Sequence, residues 1–284
     1  MINESAIRNP KSKIRNQSLL ISIIGPTGSG KSSLAIAIAE ALRGEIVNCD
    51  SQQVYQDLNV GVGKPGVEDL ARVPHHLIGL LPLSEIFSAG DMQRRGRAAV
   101  EAIVKKGIPA IVVGGTGFYY RALLYGLPPA PKRIPELRER LRSVAARHGD
   151  AFLFRMLQRV DPVSAQRIMP RDLVRVIRAL EVHFATGIPL SHLRTMDDGW
   201  ADQFQRVALG LSPERSQLYV RINRRAERML RGGWLDEVQR LLDSGTCPEC
   251  KAFDAIGYGD VSAHLRGEIS FAHLLERVQR HTRN

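Results

Sequence analysis

Gly25-Pro26-Thr27-Gly28-Ser29-Gly30-Lys31-Ser32 fits the pattern G-x-x-x-x-G-K-[ST]. Its glycines let the backbone curl so that successive amides point inward. The positive end of a helix starting there adds to the field, so the loop can cradle phosphate. Lys31 can set a charge on the outer phosphate, and the Ser32 hydroxyl can hold Mg2+. An ordinary glycine turn would need neither residue at those places. Asp50, at the head of Asp50-Ser51-Gln52-Gln53, is either a working carboxylate or the cap of the next turn. Gly114-Gly115-Thr116-Gly117 carries a threonine where a Walker-type NTPase often has aspartate. A hydroxyl donates to a phosphate oxygen but cannot replace a carboxylate on a metal, which weighs against a motor-type ATPase. Arg221, Arg225 and Arg228 repeat at helical spacing; on a face toward the same crevice they would supply cations to a polyphosphate leaving group. Cys247-Pro248-Glu249-Cys250 has metal-like spacing, but no second pair follows, so it reads as a loop with two thiols.

The elements that must position these residues follow from the patterning. The apolar run Leu19–Ile24 reads as a strand into the loop, and Ser33–Leu42 as the helix out of it. Glu45–Cys49 reads as a second strand delivering Asp50. In open α/β sheets ligands sit at the carboxyl ends of strands, so Asp50 is expected in the same crevice as the loop. Residues 54–90 read as irregular, broken by Gly61, Gly63, Pro65, Gly66 and Pro74, with His75 and His76 structural rather than metal-binding. A helix is expected over 91–106, with Met92, Ala99, Val100, Ile103 and Val104 inward and Gly107 as its stop. Strands are expected at 108–113 and 206–211. Helices are expected at 213–230, 234–243, 253–265 and 270–283.

Pro128, Pro129, Pro131 and Pro135 mark a hinge, and from about 136 to 187 the pattern is helical without a strand. In the helix expected over 172–186, Leu173, Val176, Ile177, Leu180 and Phe184 fall on one side. Arg171, Arg175 and Arg178 fall on the other, either as a solvated face or as a reader of nucleic-acid backbone. The fold class is therefore α/β: a P-loop NTPase-like core with a parallel sheet flanked by helices, from 19–127 and 200–284. An all-helical lobe is inserted at 128–199, and residues 1–18 read as a disordered basic tail rather than a signal peptide.

Composition bounds the partner. The 284 residues carry a formal net charge of +11, with a pI near 10.0, and 44% are hydrophobic. Such a basic excess suits a polyanion, nucleic acid first. No apolar run approaches the roughly 20 residues of a membrane span. Three cysteines point to a reducing, cytoplasmic setting. The residues alone leave open an enzyme acting on nucleic acid, a P-loop small-molecule kinase binding ATP, and an RNA-binding protein without catalysis.

The ordered set of motifs resembles the tRNA dimethylallyltransferases, or tRNA isopentenyltransferases, from Leu19 to the C-terminus. It comprises the phosphate loop, Asp50-Ser51-Gln52-Gln53-Val54-Tyr55, Lys64-Pro65, Pro74-His75-His76-Leu77-Ile78, Phe87-Ser88-Ala89-Gly90-Asp91, Gly114-Gly115-Thr116, Arg175 to Val182 and Ala255-Ile256-Gly257-Tyr258. The resemblance implies transfer of a dimethylallyl group from dimethylallyl diphosphate to N6 of adenosine 37 in tRNA, with Mg2+ as cofactor and the loop holding diphosphate. It implies Asp50 as general base, Thr116 on the bridging oxygen, and Lys31 and Arg225 on the diphosphate. It places tRNA contacts at Asp50, Ser51, Gln52, Gln53, Arg138, Val174, Arg175, Val176, Ile177 and Arg178. A free-nucleotide prenyltransferase shares the core but would not need the helical lobe. Gly79 stands where many relatives carry Asp, Val62-Gly63 where they carry Thr-Ala, Arg171 where they carry Asn, and Gly259 where they carry a basic residue. Relatives are expected to continue into a basic, Trp-containing segment. A monomer with no membrane contact is expected.

Overall fold

The computed structural model describes residues 18–193, 197–246 and 251–283. The expected tail at 1–18, all but its last residue, and the Cys247–Cys250 loop lie outside the described residues. Five parallel strands form one sheet in the order β3-β2-β4-β1-β5. They are β1 (Leu19–Ile24), β2 (Glu45–Asn48), β3 (His75–His76), β4 (Ala110–Val113) and β5 (Gln205–Gly210). All four residues of β2 and of β4 are buried. A parallel strand covered on both faces needs an unbroken apolar run, which is how β1 and β4 read. The register Ile21↔Ile111 and Ile21↔Val207 sets β1 between β4 and β5. The loops after β1, β2 and β4 therefore open at the same edge.

Helix α1 (Lys31–Leu42) follows the phosphate loop and buries Ala35, Ile36 and Ala39 against the sheet. Between β2 and β3 the structure has a short helix, α2 (Val67–Arg72), and His75-His76 is a strand paired to β2, so the expectation of irregular chain over 54–90 is corrected. Helix α2 buries none of its residues and β3 has two, so neither produces a periodic apolar signal. The helix expected over 91–106 is three joined segments: α3 (Ala89–Asp91), a π-helical turn (Met92–Gly96) and α4 (Arg97–Lys105). It starts earlier than expected because Ser88 and Asp91 form a capping box. Helix α5 (Gly117–Tyr125), absent from the sequence reading, leads away from the Thr116 turn.

Contacts divide the chain into two units, one running through Leu124 and resuming at Gly199, the other Tyr125–Asp198. The second is built from α6 (Pro135–His148), α7 (Asp150–Val160), α8 (Pro162–Arg167) and α9 (Leu173–Thr186). Leu141, Leu153, Leu157, Val176, Ile177 and Leu180 make its core. Phe184, expected on the apolar face, is 48% exposed, since the burial of α9 runs only through Val182. After β5 the first unit continues with α10 (Arg215–Met229), α11 (Leu235–Asp243), α12 (Tyr258–Leu265) and α13 (Phe271–Arg283). Among the described residues no helix is long and apolar enough to cross a membrane.

Candidate functional site

A cavity of about 650 Å³ opens at the carboxyl edge of the sheet. It is lined by the phosphate loop (Thr27, Gly28, Gly30, Lys31, Ser32), by Asp50 to Gln53, by Gly114 to Thr116, and by Arg221, Arg225 and Arg228 of α10. Of the remaining loop residues, Gly25 lines a smaller pocket that shares Thr116, and the Pro26 carbonyl accepts the Lys31 ammonium at 2.7 Å. Gly28 and Gly30 have φ of +81° and +95°, left-handed values that glycine adopts without a Cβ penalty. They turn the loop into α1, whose amino end meets the cavity through Lys31 and Ser32.

Asp50 caps the next turn, one of the two readings the sequence allowed, and it also lines the cavity. Its Oδ1 accepts from the amides of Gln52 (2.8 Å) and Gln53 (3.3 Å), a local turn that fixes the carboxylate's direction. Oδ2 accepts no hydrogen bond among the described residues and remains able to take a proton. The Thr116 hydroxyl accepts from the Ser51 amide at 3.1 Å. A hydroxyl has one proton and two lone pairs, so this bond leaves the proton for an acceptor in the cavity.

The electrostatics are those of a site built for anions. Burial pulls the Lys31 ammonium below the usual lysine range; Asp50 works against that shift and Arg225 adds to it. Burial also lowers Arg225, again opposed by Asp50 and reinforced by Arg228. Among the described residues Lys31, Arg221, Arg225 and Arg228 form no salt bridge. Desolvated cations without carboxylate partners gain strongly from a bound anion. Arg225 is seated on Gly63: a Cβ there would lie 2.1 Å from its Nη2. The Gln53 side chain, implied as a tRNA contact, donates to the carbonyls of Val62 (3.3 Å) and Gly63 (3.0 Å).

The donor set for a cation is sparse. Among the described residues no group of three His, Cys, Asp or Glu side chains could hold a metal ion. Ser32, exposed and on the cavity wall, offers one oxygen. That suits Mg2+ completed by phosphate oxygens and water, and does not suit an all-protein cage.

In the helical unit, described by itself, the implied tRNA contacts separate. Arg138 pairs bidentately with the fully buried Glu181 (Nε–Oε1 2.9 Å, Nη2–Oε2 3.0 Å), and Arg178 reaches the same carboxylate at 2.7 Å. The Ile134 amide adds a fourth bond at 2.7 Å. Burial alone would raise Glu181, but these donors hold its carboxyl down at about 2. Arg178 also donates to the Pro131 carbonyl at 2.9 Å. Val176 and Ile177 have their side chains buried in the core of the unit. Val174 and Arg175 are exposed, and among the described residues Arg175 pairs only with Asp172 at 3.1 Å. The uniform arginine row is therefore not observed: Arg171 precedes α9, and Arg178 turns toward Glu181.

Sequence reasoning missed Trp234, Val278 and Thr282 as cavity walls, and missed Glu237, which braces a wall from behind. Only the Ala255–Tyr258 motif hinted that the last helices reach the site.

Residues 53–284 match the family model described as IPP transferase. The chain is 47% identical over 260 residues to tRNA dimethylallyltransferase 1 of Citrifermentans bemidjiense, covering 91% of this chain and 83% of that protein. It is 44% identical over 265 residues to tRNA dimethylallyltransferase of Geobacter sulfurreducens, covering 93% and 85%. The crystal structure of a tRNA isopentenylpyrophosphate transferase from Bacillus halodurans aligns with a TM-score of 0.66 at 33% identity, covering 94% of this chain and 84% of that one. A eukaryotic dimethylallyltransferase described as acting on tRNA aligns with a TM-score of 0.78 at 27% identity, covering 94% and 67%.

Proposed function

The chain belongs to the IPP transferase family, and from that premise we propose that it transfers the dimethylallyl group of dimethylallyl diphosphate to N6 of adenosine 37 in the tRNA anticodon loop. The products are N6-isopentenyladenosine and diphosphate. The observation that carries this is the convergence, on one cavity, of a phosphate loop, an oriented carboxylate and the half-buried cations Lys31 and Arg225, which have no salt bridge among the described residues.

The C–O bond of an allylic diphosphate breaks with positive charge developing on carbon, so the barrier falls as the departing diphosphate is stabilised. The loop amides, the Lys31 ammonium, the Arg225 guanidinium and the Thr116 hydroxyl supply that stabilisation. Lys31 exchanges its bond to the Pro26 carbonyl for a phosphate oxygen. The adenine N6 forms the new bond to carbon, and Asp50 Oδ2 accepts the proton it releases. The Ser32 hydroxyl would hold Mg2+, which would supply charge neutralisation when bound. An adenosine in a loop is extruded more cheaply than one in a duplex, and its neighbours can be read as single-stranded bases. Arg175, exposed on the helical unit, contacts RNA backbone. The sparse cysteines support a cytoplasmic setting, and action as a monomer is part of the same reading.

The test is transfer of labelled dimethylallyl from its diphosphate, with Mg2+, to unmodified tRNA carrying adenosines at 36 to 38, with AMP and ATP as parallel acceptors. Label on tRNA alone is expected. Label on AMP or ATP alone, or hydrolysis of ATP without prenyl diphosphate, rejects the proposal. Asp50→Ala is expected to abolish transfer while diphosphate still binds; unchanged turnover would remove Asp50 from the base role.

A further inference from the structure

Among the described residues Arg225 has no acidic partner; its Nε donates to Met229 Sδ at 3.4 Å and its guanidinium lies against Gly63. What fixes Gly63 therefore sets one side of the Arg225 guanidinium's seat. The segment 59–65 contributes Gly61, Val62, Gly63 and Pro65 to the cavity wall. Behind that wall stands Glu237, a carboxylate on α11 that is only 3% exposed. Its Oε2 accepts from the amides of Asn59 (3.1 Å) and Val60 (2.7 Å), and its Oε1 from the Gly61 amide (3.4 Å) and the Tyr258 hydroxyl (2.5 Å). Three consecutive amides converging on one anion form a nest, which sets the backbone more firmly than a neutral acceptor would. Tyr258 is held protonated by burial and by the Glu237 charge, so it stays a donor to that carboxylate.

The segment is clamped elsewhere as well. Lys64 donates to the Tyr55 carbonyl (2.7 Å), the Gln56 carbonyl (3.1 Å) and Asn59 Oδ1 (2.9 Å). The indole of Trp234 fills the space beside Gly61, where a Cβ would lie 2.2 Å from Nε1. The Glu237 nest acts at the start of the segment and the Gln53 amide at its end. Neither Glu237 nor Tyr258 lines the cavity.

We propose that Glu237, with Tyr258, is a positioning residue for diphosphate binding: it fixes the 59–63 backbone on which the Arg225 guanidinium is seated. The proposal rests on the reading of Arg225 as a diphosphate contact. A carboxylate is needed because the nest offers only donors. Glutamine keeps the shape but turns an NH2 group toward amide or hydroxyl protons.

The experiment is a double-mutant cycle read by calorimetric binding of inorganic diphosphate to the full chain and by steady-state transfer. Glu237→Gln is expected to weaken diphosphate binding roughly tenfold, because small misplacements of a positioned cation are costly. It is expected to raise KM for the prenyl diphosphate alike, with KM for tRNA held within about twofold. Glu237→Gln combined with Arg225→Ala is expected to bind no more weakly than Arg225→Ala alone. Gly63→Ala, which crowds Arg225 without touching Glu237, is expected to reproduce the weakening even where a Glu237 variant folds poorly. Additive losses in the cycle, or equal rises in both KM values, overturn the positioning role and leave a merely structural one. Wild-type chain that binds diphosphate but transfers no label rejects the transfer reaction and leaves the positioning claim to the cycle. Wild-type chain that binds no diphosphate overturns both.

Discussion

The two units use arginine in opposite ways. In the helical unit Arg138 and Arg178 close on the buried Glu181 carboxylate. In the cavity of the other unit Arg221, Arg225, Arg228 and Lys31 are gathered without a salt bridge among the described residues, and burial depresses Lys31 and Arg225. A buried charge with its partners present is an internal fixture; half-buried cations gathered without them suit an anionic ligand. Charge counts in the sequence do not separate the two cases, because Arg178 and Arg225 look alike until their surroundings are known.

The comparison breaks most visibly at Glu181. Glu181→Ala would leave two guanidiniums facing each other in a closed space, and it is expected to destabilise the helical unit by about 3–5 kcal/mol. Denaturant melts followed by far-UV circular dichroism check this, and a loss below about 1 kcal/mol would mean that water enters the site. The same pairing has a pH signature. Glu181 titrates near 2 in the folded chain, below the ordinary 4.5, so its contribution is fully present above that ordinary value. It is lost as pH falls from about 4.5 toward 2. Hydrogen exchange of α9 amides is expected to speed up across that window. Exchange that responds only near neutral pH would point to a different group.

The cavity is expected to respond the other way. Lys31→Ala should lower kcat/KM for the prenyl diphosphate about a hundredfold or more. Relief of a desolvated charge should leave the melting temperature unchanged or slightly raised. A large fall in melting temperature would make Lys31 a fixture like Arg178. The smallest expected effect belongs to Arg175, whose single exposed pair with Asp172 is worth little. Arg175→Ala should weaken tRNA binding modestly and reduce its salt slope by about one.

What the sequence made legible follows the same division. The β1–loop–α1 unit and the apolar runs of β2 and β4 are local patterns, and their chemistry is carried by residues a few positions apart. The Asp50 turn is local too, since its cap partners are Gln52 and Gln53. Glu181 and Glu237 were invisible because partners that bury them lie far along the chain: Arg138 is 43 positions from Glu181, although Arg178 is only three, and Val60 is 177 from Glu237. A buried carboxylate on an amphipathic helix reads as a solvated one until its neighbours are in place. Helix α2 and strand β3 escaped for a plainer reason: they are too short, or too exposed, to show a period.

The most direct test of the division is a crossed titration, with diphosphate and tRNA each measured against Arg225→Ala and Arg175→Ala. The expected result is a crossover: Arg225→Ala loses diphosphate affinity and keeps tRNA affinity, while Arg175→Ala keeps diphosphate and loses tRNA. Both variants weakening both ligands in the same proportion would contradict the account.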